Sequence, residues 1–305
     1  MNTKDIFEIL PQSIIKEVVN EKDIDRLQEI RIKVNKPLIL NIDNKERVKT
    51  YLATSEDVKL IIQKISNYSI YAFEDEIKNG YITVKGGHRV GICGNCVIQD
   101  ESIKTIKDIS SLNIRTCKEV VGCSLKVIPH IVESGMVCNT IIISPPQCGK
   151  TTLLRDIVKN LSDGKENMGF RGKKIAVIDE RSEIAGCYNG IPQMNVGIRT
   201  DILDNCPKSK GIMLAIRSLS PEVIVCDEIG TRKDVESLMM AFNCGVSIIT
   251  TIHGEGIEDI TKRKVFNEII ENAIFKRAII LSCKKGVGTI ESIYDFPNNK
   301  ILWRQ

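Results

Sequence analysis

Apolar residues follow two different rhythms along the chain, and the change comes near residue 116. Upstream, the stretch Glu29 to Leu40 (EIRIKVNKPLIL) alternates through Ile30, Ile32 and Val34 before Pro37, which predicts a strand. Residues 55–65 place Val58, Ile61, Ile62 and Ile65 on one helical stripe, with Ser55 as the expected N-cap and Asp57 in the first turn. Residues 81–98 (YITVKGGHRVGICGNCVI) read as two strands around Gly86-Gly87. These short, mixed patterns predict a small α+β domain over residues 1–116.

Downstream, over 117–305, apolar runs of strand length alternate with helical segments. The runs are 137–144, 175–178, 223–226 and 246–250; the helices expected are 151–161, 208–219 and 233–243. Strands apolar on both faces, separated by helices, predict an α/β domain with a mostly parallel sheet covered on both sides. Such sheets bind ligands at the carboxyl ends of their strands, and these runs end in polar residues.

The first end is Ser144-Pro145-Pro146-Gln147-Cys148-Gly149-Lys150-Thr151, with Thr152 next. An apolar strand precedes it and a helix follows, the setting of a phosphate-binding loop, G-x-x-x-x-G-K-[ST]. Backbone N–H groups from about Gln147 to Thr151 would point inward at the positive end of the helix. Gly149 permits close backbone approach, Lys150 offers charge to the β- and γ-phosphates, and the Thr151 hydroxyl is a Mg²⁺ ligand. Ser144 stands where the pattern has its first glycine.

The second end, Asp227-Glu228, follows 223–226: Asp227 is the expected Mg²⁺ holder, through water, and Glu228 the general base that polarises the attacking water. The third is Asp179-Glu180-Arg181-Ser182-Glu183, whose carboxylates, Glu180 among them, are candidates for the same metal or water. The fourth is Thr250-Thr251-Ile252-His253-Gly254, where His253 is a candidate γ-phosphate sensor. Hydrolysis needs positive charge on the γ-phosphate in the transition state, and Arg217, Arg199 and Arg89 are the candidates for it.

Composition narrows the partners. The chain has 305 residues, 42% hydrophobic and 27% charged, which suits two domains with real cores. A net charge of +4 and 5% aromatic residues give neither the basic surface nor the stacking platform of a nucleic-acid motor, so a nucleic-acid partner is not expected. No signal peptide or membrane span is evident, so the expectation is a cytoplasmic protein whose membrane contact is peripheral. The 11 cysteines read as free thiols. Cys93 and Cys96 form a C-x-x-C without a matching second pair, read as two thiols on a strand and its turn.

The order of these blocks resembles the traffic ATPases of type II and type IV secretion and of type IV pili, which are RecA-like. Over nearly the whole chain, EIRIKVNKPL, GYITVKGGHRVGICG, SLNIR, DERSEIAGCYNGIPQ, GIRTDILDNCPKSKG and SPEVIVCDEIG are similar to the stage III sporulation protein AA family. The resemblance implies a RecA-like ATPase that binds ATP and Mg²⁺ and forms a homo-oligomeric ring, a hexamer. It implies a site on the mother-cell side of the membrane, peripheral to the membrane-embedded channel proteins of the sporulation complex. Arg89, in the family's Gly-Gly-His-Arg stretch, would reach the phosphate. The family's loop has glycine at the positions of Ser144 and Gln147, which puts turnover rate in question rather than binding. Two other readings stay open: a RecA-like nucleic-acid motor, and a nucleotide-gated scaffold that does not hydrolyse.

Overall fold

The computed structural model describes residues 4–69, 73–166 and 169–305. The chain divides into two compact units, one of Met1–Glu119 with Gly186–Gln193, the other of Val120–Ala185 with Met194–Gln305.

The first unit opens with helices α1 (Lys4–Ile9) and α2 (Gln12–Val19), then a β-meander of β1 (Leu27–Lys33), β2 (Pro37–Ile42) and β3 (Lys45–Leu52). Helices α3 (Ser55–Ile65) and α4 (Glu74–Lys78) lead to β4 (Tyr81–Val84), β5 (His88–Gln99) and β6 (Ser102–Arg115). The six strands form one antiparallel sheet in the order β3-β2-β1-β6-β5-β4. Alternation puts Ile30 and Ile32 of β1, with Leu38 and Leu40 of β2, into a core completed by Ile61 and Ile65 of α3.

Pro37 begins β2, where its missing N–H costs the ladder least. The cap of α3 is Thr54 rather than the expected Ser55: its side chain accepts from Asp57 N, and Asp57 answers the Thr54 N–H, a reciprocal capping box. Cys93 and Cys96 both lie on β5 and are exposed. The excursion 186–193 is tied in by Gly86 N donating to Gln193 Oε1 at 2.9 Å and by Gly186 packing on Gly87. Nothing in the sequence pattern separates this segment from the flanking second half.

The second unit starts with α5 (Ile128–Ile131) and a small ribbon of β7 (Val132–Glu133) and β8 (Met136–Val137). Then come β9 (Thr140–Ser144), α6 (Lys150–Asp163), a second ribbon of β10 (Gly164–Lys165) and β11 (Phe170–Arg171), β12 (Ile175–Asp179) and β13 (Thr200–Asp204). The chain continues through α7 (Lys208–Ser218), β14 (Val223–Cys226), α8 (Arg232–Asn243), β15 (Ser247–His253), α9 (Ile257–Lys262) and α10 (Asn267–Glu271). It ends with β16 (Arg277–Ser282), β17 (Thr289–Asp295) and β18 (Lys300–Arg304).

The main sheet runs β13-β12-β14-β15-β9-β16-β17-β18. Its first six strands are parallel and the last two antiparallel. The mostly parallel α/β sheet expected from the apolar runs is therefore present, with β13 and the β16–β18 meander added. Every residue of β9, β12 and β14 is buried, as a central strand covered on both faces requires. Because parallel strands point the same way, the carboxyl ends of β12, β14, β15 and β9 fall along one edge. Ile178 is level with Cys226, Cys226 with Thr250, and His253 with Ser144.

Candidate functional site

β9 delivers the chain at Ser144 into the turn 145–149, and α6 starts at Lys150. The N-cap Gly149 has φ 85°, makes no side-chain cap, and the first turn carries no acid. A helix leaves its first N–H groups without intrahelical partners, so this end is open to an anion. Gly149 also has a steric role. A Cβ there would lie 3.3 Å from the Gly288 backbone and from the Val287 side chain, and Gly288 N donates to Cys148 O at 3.2 Å.

The two departures from a glycine-rich loop differ in kind. Ser144 is the last residue of an extended strand, where any residue is at ease. Its hydroxyl donates to Pro145 O at 2.8 Å and lies 3.3 Å from Lys150 Nζ. Gln147 is held at φ 60°, a left-handed conformation that costs a non-glycine residue roughly 1–2 kcal/mol. Pro146 and Gln147 are exposed and Cys148 is buried; Pro145, Thr151 and Thr152 are half-buried.

Lys150 is buried, and burial pushes its pKa down, against the opposing pull of Glu228 and Asp227. Its Nζ donates to Ser144 O at 3.2 Å and Pro145 O at 3.1 Å, and meets His253 Nδ1 at 2.8 Å. An ammonium has only protons to offer, so Nδ1 accepts and the imidazole proton sits on Nε2. That nitrogen is 3.2 Å from Glu228 Oε2. A continuous line, Lys150–His253–Glu228, thus joins three of the predicted residues from the start of α6, the end of β15 and the turn after β14. Asp227 belongs to the same cluster: its Oδ1 accepts from Thr251 Oγ1 and from Glu228 N, both at 2.9 Å.

Glu180 goes elsewhere. It forms a close ion pair with Lys208, at the start of α7. Burial lowers the Lys208 pKa, but the Glu180 contact outweighs it and the net shift is upward. Asp179, the other acid of that box, is fully buried. Its carboxylate accepts Glu183 N at 2.8 Å, Ile184 N at 2.9 Å and Ala185 N at 2.8 Å. Burial pushes its pKa up to about 6. Asp179 and Glu180 are thus engaged by the loop after β12 and by Lys208, and neither joins the Lys150–His253–Glu228 line.

Arg217 is also not brought to the cluster. It is exposed in the last turn of α7, which runs back toward the amino end of β14, the edge of the sheet away from the loop. Arg199 donates to Ser162 O at 2.9 Å and serves the packing of α6. Arg89, in the first unit, stands over the Tyr81 ring at 4.1 Å. Sequence reasoning missed Thr251 as an orienting partner of Asp227, and Lys208. Thr251 had a signal, as a hydroxyl at the polar end of an apolar run; Lys208 had none.

A RecA-like fold of the secretion ATPases is what this sheet and loop define. The Yersinia pseudotuberculosis ATPase DotB overlays with a TM-score of 0.60 at 14% identity, covering 94% of this chain and 80% of that one. The pilus retraction motor PilT, solved with bound ADP, gives 0.59 at 16% identity over 88% and 76%. The chain belongs to the family described as sporulation stage III, protein AA, which matches residues 1–301. Stage III sporulation protein AA of Bacillus subtilis is 42% identical over 298 residues, 97% of this chain and 96% of that protein. Among the described residues, no helix is long and apolar enough to cross a membrane.

Proposed function

We propose that the chain is a Mg²⁺-dependent ATPase of the secretion-motor kind, acting in sporulation. The observation that carries this reading is the line Lys150–His253–Glu228 with Asp227 beside it, at the edge of a parallel sheet next to an uncapped helix N-terminus. The residues suit a nucleotide triphosphate. The loop 144–152 offers backbone N–H groups and no competing acid, and a buried lysine rests on carbonyls that a phosphate outcompetes as an acceptor. Thr151 and Asp227 would hold Mg²⁺, which supplies charge against the negative charge developing on the transferred phosphoryl group.

The chain's own residues then divide the work. Lys150 leaves the Ser144 and Pro145 carbonyls to bind the β- and γ-oxygens. Glu228 orients water and accepts its proton. Thr251 and the Glu228 N–H fix the Asp227 carboxylate, and His253 reports the position of Lys150 to Glu228 through its two ring nitrogens. An arginine from a neighbouring copy, Arg89, completes the charge on the γ-phosphate. The assembly we propose is a homo-hexameric ring, cytoplasmic on the mother-cell side and peripheral to the membrane-embedded channel proteins of the sporulation complex, which it energises. Family membership and the DotB and PilT folds support this assembly.

The test is phosphate release together with native mass, with and without ATP and Mg²⁺. Hydrolysis lost in Glu228→Gln with ATP binding kept, and a nucleotide-dependent oligomer in wild type, are expected. A monomer in every condition would sink the ring. ATP binding without phosphate release, even in the assembled state, would make the protein a nucleotide-gated scaffold.

A further inference from the structure

Of the 11 cysteines, two that stand 135 positions apart meet at the phosphate loop. Cys148 is buried inside the loop; Cys283 is exposed just after β16. Their sulfurs are 2.6 Å apart, both recorded as free thiols. The approach does not depend on two side chains alone. Gly288, on the same β16–β17 connection, donates its N–H to Cys148 O at 3.2 Å, and its backbone packs on Gly149. The two sulfurs are already close to the separation of a disulfide bond, about 2.05 Å.

We propose that Cys148 and Cys283 form a reversible disulfide that pins the phosphate loop to the β16–β17 connection and closes it to ligand. Cys283, exposed, meets the oxidant first, a small-molecule disulfide. Its thiolate attacks one sulfur of that disulfide, forming a mixed disulfide and releasing one small thiol. Cys148 then attacks the Cys283 sulfur and expels the second small thiol. Two protein thiols are oxidised, one small disulfide is reduced to two thiols, and the two protons of the protein thiols leave with them. Neighbouring Cys283 and burial both raise the Cys148 pKa, which fits Cys148 as the resolving rather than the attacking partner.

The bridge would act on the loop because Cys148 lies between the two segments that must adjust. Lys150 rests on the Ser144 and Pro145 carbonyls and must leave them to meet a phosphate. A covalent tether at Cys148, added to the Gly288 hydrogen bond, holds the arch 145–149 in the shape that keeps Lys150 there. This consequence for ligand rests on the nucleotide reading proposed above; the bridge itself does not.

The experiment treats the full chain with oxidised glutathione, alkylates the remaining thiols, and maps peptides by mass. Amide hydrogen exchange over 147–151 and binding of a fluorescent ADP analogue with Mg²⁺ are measured on the same samples. Expected are a joined Cys148–Cys283 peptide, slowed exchange in the loop, and analogue binding weakened about tenfold or more, which corresponds to about 1.4 kcal/mol. Dithiothreitol should reverse all three, and Cys283→Ser should prevent them while binding the analogue as reduced wild type does. Both cysteines remaining open to alkylation, or either one bridged to a different cysteine, overturns the proposal. So does a joined peptide with loop exchange unchanged. A joined peptide and slowed exchange, with no analogue bound even by reduced protein, upholds the bridge and overturns the nucleotide reading instead.

Discussion

Strands β12 and β14 are neighbours, level with each other, and each runs apolar to an Asp-Glu pair: Asp179-Glu180 on one, Asp227-Glu228 on the other. In sequence the two ends look alike. In the structure Asp179 is sealed by three backbone N–H groups of its own following loop, and Glu180 is paired with Lys208. Asp227 and Glu228 instead stay half-buried and join Thr251, His253 and Lys150. The flanking strands decide this. β14 lies beside β15, whose polar end supplies the hydroxyl and the imidazole, and β9 with its loop is next in order. β12 has β13 on its far side, and the loop after it folds back onto its own acid. An acidic strand end becomes a candidate reaction centre when its neighbours bring a cation and an open helix N-terminus. Otherwise it becomes a fastening.

The largest effects should separate the two ends outright. Lys150→Ala and Glu228→Gln are each expected to lower phosphate release about 10²–10³-fold, as loss of a transition-state contact does. The Glu228 variant should still bind the ADP analogue in equilibrium titration, while Lys150→Ala binds it more weakly. At the other end, Asp179→Asn should leave kcat of the folded protein within about threefold, yet lose about 1–3 kcal/mol of stability through an amide forced against backbone donors. Denaturant unfolding monitored beside steady-state rates checks both halves. A large drop in kcat without a change in stability would erase the distinction.

Protonation sharpens the same contrast. The Asp179 pKa is raised by burial to about 6, so between its unfolded value near 3.9 and about 6 the folded state holds more protons. The burden of its buried charge is fully present above pH 6 and is relieved as pH falls through that window. Wild type should therefore gain stability relative to Asp179→Asn between pH 7 and pH 5. A gap that stays constant in pH-resolved unfolding would mean the carboxylate keeps its charge throughout.

Smaller effects follow. Glu180→Gln removes a half-exposed partner of Lys208 and is expected to cost about 0.5–1 kcal/mol, with hydrolysis within about twofold. A loss of hydrolysis beyond about tenfold would restore Glu180 to the reaction. Smallest is Gln147→Gly. It relieves the left-handed backbone but loosens the unfolded chain, for a net change under about 1 kcal/mol, read as a shift in denaturation midpoint.

Much of the second unit was legible because central parallel strands announce themselves as uninterrupted apolar runs; 223–226 is β14 to the residue. The strands that escaped are those whose pattern is diluted. β13 is an edge strand with no buried residue and a sequence, TDILD, that is polar at both ends, and β6 carries mostly polar residues along a long hairpin. The Thr54 cap was readable, since Asp57 lies three residues on and the box needs that spacing; Ser55 merely looked equally suitable. In the site, Lys150 was visible through the loop pattern, and Asp227, Glu228 and His253 as polar residues ending apolar runs. Their coming together depends on strand order, which places β15 between β14 and β9 and which local pattern does not encode. The fates of Asp179 and Glu180 were hidden for the same reason: Lys208 is 28 residues from Glu180.

Strand order also bears on how the chain acquires its shape. β9 is the first strand of the main sheet to be synthesised, yet its two neighbours are β15 and β16, which come more than 100 residues later. Until both arrive, the five positions 140–144, all buried in the finished sheet, have no sheet to join, and the turn after them lacks Gly288 to lean on. Pairings this remote close slowly, so the loop at the head of the unit should be among the last parts to set. A nascent chain halted before residue 277 would carry the whole phosphate-loop motif in its sequence with one side of β9 left bare, a surface suited to chaperone capture or to misassembly.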